Sequence, residues 1–228
     1  MSQWEVSWDT RTAWWSILAL IVIDFIFVVI VGALGTVVGL PNPLMVGIIT
    51  TLLYAGIGLL VYYLTGSHWR LLAFNKFPYF RAAGYIGLSF SGILIFGQIW
   101  ASVLQLVGVS QPDSSVPILK LFGNTPFGFV VIFLLTVIIA PVAEEVFFRA
   151  FLYQAFRERY GILAGLLISA TIFAFFHFSM LAALPVFIFI GALLGLMFET
   201  FDSVYPAILL HALNNFFFFI IFVLTSSR

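Results

Sequence analysis

Long runs of apolar residues, broken at short intervals by small clusters of polar ones, make up most of the chain. About 20 mainly apolar residues carry an α-helix across the hydrocarbon core of a bilayer. Seven runs reach or approach that length, near residues 13–37, 44–64, 82–107, 126–156, 161–180, 184–200 and 204–224. They predict an all-α fold, a polytopic transmembrane helix bundle of seven spans. The stretch 108–125 contains VPILKLF, which is too short to cross and offers an eighth, shorter element. No low-complexity tract or long linker separates the runs, so residues 1–228 read as a single integral-membrane domain. No internal repeat is visible either, which speaks against a secondary transporter built from inverted halves.

Composition fits this pattern and narrows the class. Hydrophobic residues make up 63% of the chain and charged ones 8%, against about 45–50% and 25% in soluble domains. Net charge is zero, so nothing points to nucleic acid, and the absence of cysteine excludes a disulfide framework or a thiolate metal site. The first residues, MSQWEVSWDTRTAWW, lack a basic region followed by a small-residue cleavage site and are not read as a signal peptide. Charge placement sets the orientation. Arg11, Arg70, Lys76, Arg81, Arg157 and Arg159 share one side of a seven-span arrangement, while Lys120 and Arg228 are alone on the other. The positive-inside rule then makes the N-terminus cytoplasmic, with Trp4, Trp8, Trp14, Trp15 and Trp69 at interfacial levels.

The polar residues inside the apolar runs carry the candidate chemistry. PVAEEVFFRAFLY, residues 141–153, holds three charges in the fourth run, where each costs about 2.5–3.5 kcal/mol at a helix centre. Glu145 and Arg149 are four apart and share a face as an ion pair, with an interfacial pair and snorkelling arginine as the plain structural reading. Glu144 lies about 100° round the helix from that pairing. Pro141 deprives the carbonyl of Val137 of its helical donor. The fifth run carries Phe173 and His177 four apart, and the seventh carries His211 and Asn215 four apart with Asn214 beside them. Each alone reads as packing or interhelical hydrogen bonding. Glu144 is about 16 residues before the turn at Tyr160–Gly161 and His177 about 17 after it, roughly 24–26 Å along each helix at 1.5 Å per residue. An antiparallel hairpin sets them level, and His211 can approach the same depth.

Other polar or small positions read structurally. Asp24 is an intramembrane carboxylate, functional by default or a protonated hydrogen-bonding partner for a neighbouring helix. Gly191 and Gly195 form a close-packing pair, and Phe216 to Phe219 face lipid or fill the bundle. Glu199 and Asp202 cap the loop into the seventh helix, and His68 lies in a basic interfacial loop.

A glutamate with two imidazoles and an amide supports two chemistries. The glutamate can take a proton from water while imidazole and amide donate to an oxyanion. Alternatively, His177, His211 and Glu144 match the ligand set of a catalytic zinc. Either route hydrolyses an amide or ester with activated water, and GxSxG and HExxH are both absent.

Glu144-Glu145-x-x-x-Arg149, Phe173-x-x-x-His177 and His211-x-x-x-Asn215, in this order on successive apolar helices, resemble the CAAX prenyl protease and bacteriocin-processing (CPBP, or Abi) family of intramembrane proteases. The resemblance covers about 126–224. It implies a bundle with its polar site sunk in the membrane and open to the cytoplasm, in a prokaryotic cell membrane. Glu144 would activate water, His177 would position it or assist proton transfer, and His211 with Asn215 would bind the oxyanion. Glu145, Arg149 and Phe173 would support them. A metal-free glutamate mechanism is expected, so no cofactor, with zinc as the alternative. The expected partners are a membrane-associated protein or peptide substrate and the lipid bilayer. A non-catalytic scaffold or bacteriocin-immunity factor of the same family is the second reading, and a proton-linked transporter using Glu144, Glu145, His177 and Asp24 the third.

Overall fold

A computed structural model describes residues 8–38, 43–65, 72–109, 122 and 124–226. The expected short element in 108–125 falls almost wholly outside the described residues. So do Trp4, His68, Trp69, Arg70, Lys120, Arg228 and the side chain of Asp24.

Seven helices follow one another among the described residues, and no strand is present there. They are α1 (Thr10–Val38), α2 (Pro43–Leu64) and α3 (Tyr79–Leu106), then α4 (Pro126–Tyr160) and α5 (Ile162–Phe175), and finally α6 (Leu184–Phe201) and α7 (Val204–Ser226). Four of them, α3, α4, a segment from Leu181 through α6, and α7, are long and apolar enough to cross a membrane. This makes the chain an integral membrane protein, although these four do not carry the expected count of seven crossings. The clearest difference is α5, expected over 161–180 but only 14 residues long. At 1.5 Å per residue it reaches about 21 Å, short of a hydrocarbon core about 30 Å thick. A 3₁₀ segment, Phe178–Ala183, connects it to α6.

Local sequence explains the helix ends. Asp9 opens α1 by accepting from the backbone N–H and hydroxyl of Thr12, each at 2.8 Å. Those bonds hold its carboxyl below the usual range. Thr125 accepts from Gly128 N–H to start α4, with Pro126 in the first turn. Gly161, at φ 82°, turns the chain between α4 and α5.

Inside α4 the backbone widens to π-helix over Leu134–Ile139 and again over Val146–Tyr153. Pro141 accounts for the first of these, because a proline lacks the N–H that an α-helical turn needs. Ala140 N–H instead bonds Leu135 O, five residues back. In that register Pro141 would serve Thr136, and the gap expected at Val137 moves to the Thr136 carbonyl.

The centre of the bundle forms where α5 lies between α4 and α6. A Cβ on Gly165 would stand 2.8 Å from the Arg157 backbone, and one on Gly191 would stand 2.9 Å from Ala170 Cα. These close approaches draw three helices together around the Phe148, Phe173 and Leu194 side chains. Helix α7 packs on α3, α4 and α6, and α2 on α4. Of Phe216 to Phe219, Phe217 meets Phe90 and Phe219 meets Phe133, while Phe216 and Phe218 are exposed.

Two expectations about polar anchors are corrected. Trp8 does not face lipid or water. It is buried, stacks on Phe151 and donates its indole N–H to Phe151 O. Glu199 does not cap the loop into α7. Its carboxylate takes both Arg157 Nε and Nη2, at 2.7 and 2.8 Å, and the Tyr153 hydroxyl at 2.7 Å. Asp202 does end α6, in the left-handed region at φ 48°.

Candidate active site

The sequence of α4 places Glu145 and Arg149 one turn apart on its inner face, and packing seals both. Arg149 Nη1 donates to Glu145 Oε1 at 3.0 Å, and both side chains are fully buried. The plain reading, an interfacial pair with a snorkelling arginine, is therefore replaced by an interior one. Such a pair is costly unless its remaining donors and acceptors find partners. Arg149 Nη2 donates to Gly191 O at 3.1 Å, on α6, while Arg149 Nε and Glu145 Oε2 are buried without a hydrogen-bond partner among the described residues. Above the guanidinium lies the Phe173 ring, 4.6 Å from its central carbon. Gly191 thus does two things: its missing side chain admits Ala170, and its carbonyl accepts from Arg149 Nη2.

His211, seven residues into α7, reaches the same carboxylate. Its Nδ1 lies 2.8 Å from Glu145 Oε1, and its Nε2 lies 3.9 Å from Glu144 Oε2. Glu144 is the more open of the two glutamates, with its side chain 19% exposed against 0% for Glu145. Neighbouring carboxylates therefore face different surroundings, one locked in an ion pair and one on the accessible side of the imidazole.

His177 stands just beyond the end of α5 rather than within it. Its backbone N–H turns back to Ala174 O, and the ring Nδ1–H bonds the Phe173 carbonyl at 3.0 Å. The side chain thereby satisfies a carbonyl that a continuing helix would have served, which helps to end α5 there. The ring is stacked on Phe187 at 4.4 Å and rests against Phe173 at 4.7 Å. Phe173 also meets His211 edge-on at 5.8 Å. One buried phenyl ring separates the two imidazoles, so they flank it rather than meeting directly.

Asn215 donates its amide to the Thr136 carbonyl at 2.8 Å. That is the carbonyl left open by Pro141, and the bond ties α7 to α4 one turn beyond His211. Among the candidate residues, Glu144, Glu145, Arg149, Phe173 and His211 come together directly. His177 joins through Phe173, and Asn215 borders the group from the Thr136 side.

Among the described residues no three His, Asp or Glu side chains gather as a metal-holding group. The trio His177, His211 and Glu144 does not converge on one point in this arrangement, because the Phe173 ring packs against both imidazoles.

Sequence reasoning missed the Gly191 carbonyl, the Thr136 carbonyl and the Arg157–Glu199–Tyr153 group. Only the last had a visible signal. Arg157 stands three residues before the end of α4 and Glu199 two before the end of α6, which sets both near the same side.

The architecture is that of a helical membrane protein with a buried, charged, histidine-bearing cluster among α4 to α7. Residues 126–217 match the family model described as type II CAAX prenyl endopeptidase Rce1-like, so this part of the chain is similar to that family. Neither a curated protein nor a solved structure matches the chain.

Proposed function

We propose that the protein is an intramembrane endopeptidase that hydrolyses a peptide bond of a membrane-associated protein or peptide, using water activated by Glu144. The observation that carries this reading is the pairing of unlike glutamates. Glu145 is neutralised by Arg149, while Glu144 stays partly exposed, 3.9 Å from His211 Nε2. A half-buried carboxylate beside an imidazole suits a general base. Water held on Glu144 attacks the carbonyl carbon, Glu144 takes its proton, and the proton finally goes to the leaving amine.

His177 serves this step from the far side of Phe173. Its Nδ1–H is committed to a backbone carbonyl, which leaves Nε2 of the neutral ring as an acceptor for water. Asn215 keeps a second amide N–H beyond the one given to Thr136, and with His211 it forms the oxyanion site. No metal takes part in the step. The N-terminus is cytoplasmic in this reading, and a prokaryotic cell membrane is the setting.

The test is cleavage of a membrane-peptide library by purified protein beside Glu144→Ala. Cleavage by the wild type alone, with both proteins folded, supports the reading. Absence of cleavage by either favours a non-catalytic scaffold or immunity role.

A further inference from the structure

Glu145 uses a single oxygen twice. Oε1 accepts from Arg149 Nη1 at 3.0 Å and lies 2.8 Å from His211 Nδ1, with all three side chains at most 4% exposed. Beside a buried guanidinium, which stays charged, the carboxylate is ionised and has only acceptor sites. A contact of 2.8 Å to His211 then requires the proton to be on Nδ1. In a neutral imidazole that leaves Nε2 as a bare acceptor. Nε2 is the nitrogen that faces Glu144, at 3.9 Å.

We propose that Glu145 is a positioning residue that fixes His211 as the Nδ1–H tautomer, so that Nε2 stands beside Glu144 as a proton acceptor. This rests on the protease reading above and deepens the part His211 plays in it. A neutral ring in this tautomer cannot donate to an oxyanion from Nε2. It gains that ability in the step that creates the oxyanion. As water attacks, its O–H bond breaks and its oxygen bonds to the carbonyl carbon, with the proton on Glu144. That proton passes to Nε2, breaking the Glu144 O–H bond and forming an N–H bond. The imidazolium now donates to the oxyanion, its charge balanced by Glu145, and later releases the proton toward the leaving amine. Arg149 holds Glu145 in place throughout by its bonds to Oε1 and to Gly191 O.

The tautomer can be read without a substrate. The chain has three histidines, so nitrogen-15 spectra of labelled protein can be assigned with His68→Gln and His177→Gln. At about pH 9, well above the ordinary imidazole value of about 6.5, the expected result is a protonated Nδ1 and a bare Nε2 on His211. A bare Nδ1 with the proton on Nε2 overturns the proposal. In Glu145→Gln the side-chain amide can also donate to Nδ1, so the ring is expected to move toward the Nε2–H form. With a cleavable substrate, kcat is expected to fall about 100-fold while KM changes by less than about threefold. Full kcat with an unchanged tautomer in that variant also overturns it. If the variant does not fold, the wild-type spectrum decides alone. A chain that shows the Nδ1–H form yet cleaves nothing upholds the tautomer lock and removes the protease reading.

Discussion

Truncating Arg149 to alanine isolates the energetic centre of the bundle. The side chain is fully buried and makes four interactions: the 3.0 Å bond to Glu145, the 3.1 Å bond to Gly191 O and face contacts with Phe173 at 4.6 Å and Phe148 at 5.8 Å. Its loss leaves a buried carboxylate without its cation, away from water. Removing one partner of a buried ion pair costs about 3–5 kcal/mol. For a chain of this size each kcal/mol moves the thermal midpoint by about 2–4 °C, so the expected fall is about 6–20 °C. The assay is thermal unfolding of purified protein in detergent. Arg157→Ala is the internal comparison, because Arg157 and Glu199 keep 18% and 16% exposure and the remaining charge stays in reach of water. That change is expected to cost only about 1 kcal/mol. Glu145→Gln combined with Arg149→Met removes both charges at similar volume and is expected to recover at least half of the lost midpoint. A midpoint for Arg149→Ala within about 2 °C of the wild type refutes the reasoning, since a buried carboxylate stripped of its cation could not be so cheap.

Gly191→Ala places a methyl group 2.9 Å from Ala170 Cα and shifts the acceptor of Arg149. A stability loss of about 1–3 kcal/mol is expected, together with lower activity, and a neutral midpoint in thermal unfolding contradicts it. Burial, helped by the nearby charge of Glu199, raises the Asp202 carboxyl above its ordinary value. The acid form is thus favoured by the fold, so its stabilisation is present below about pH 3.9 and is lost as pH rises through the raised value. Asp202→Asn, which keeps the tolerance for φ 48°, is expected to raise the midpoint at pH 7 and leave it unchanged at about pH 3. An equal shift at both pH values contradicts that origin. Elemental analysis of purified protein is expected to give well under one zinc per chain, with activity kept after chelation. Stoichiometric zinc, with activity lost on removal and restored on return, would place His177, His211 and Glu144 as ligands.

Helix positions were legible because apolar length alone dictates them in a membrane protein. The run read at 204–224 is α7 at Val204–Ser226, and that read at 184–200 is α6 at Leu184–Phe201. The Glu145–Arg149 pair was legible from its spacing of four, but its complete burial was not. Depth in a bundle depends on which neighbours cover a face, and the Gly191 carbonyl that accepts from Arg149 belongs to a backbone that no side-chain pattern reports. His177 was read inside a long span, whereas α5 stops at Phe175 because a side chain takes over the Phe173 carbonyl. Hydropathy does not register such a stop, since Phe178 to Ala183 are apolar apart from Ser179. Trp8 misled for the opposite reason: tryptophan favours interfaces on average, and this one found a buried acceptor in Phe151 O.

Direct water attack promoted by Glu144 is the central claim, and a single turnover in oxygen-18 water tests it most directly. Once the library yields a cleaved peptide, excess purified protein is mixed with that peptide in labelled water and the new C-terminus is weighed by mass spectrometry. The account predicts one oxygen-18 in the first product formed, and no product from folded Glu144→Gln. A first product carrying unlabelled oxygen would mean that a protein carboxylate attacked the carbonyl itself. Undiminished cleavage by Glu144→Gln would remove Glu144 from the reaction.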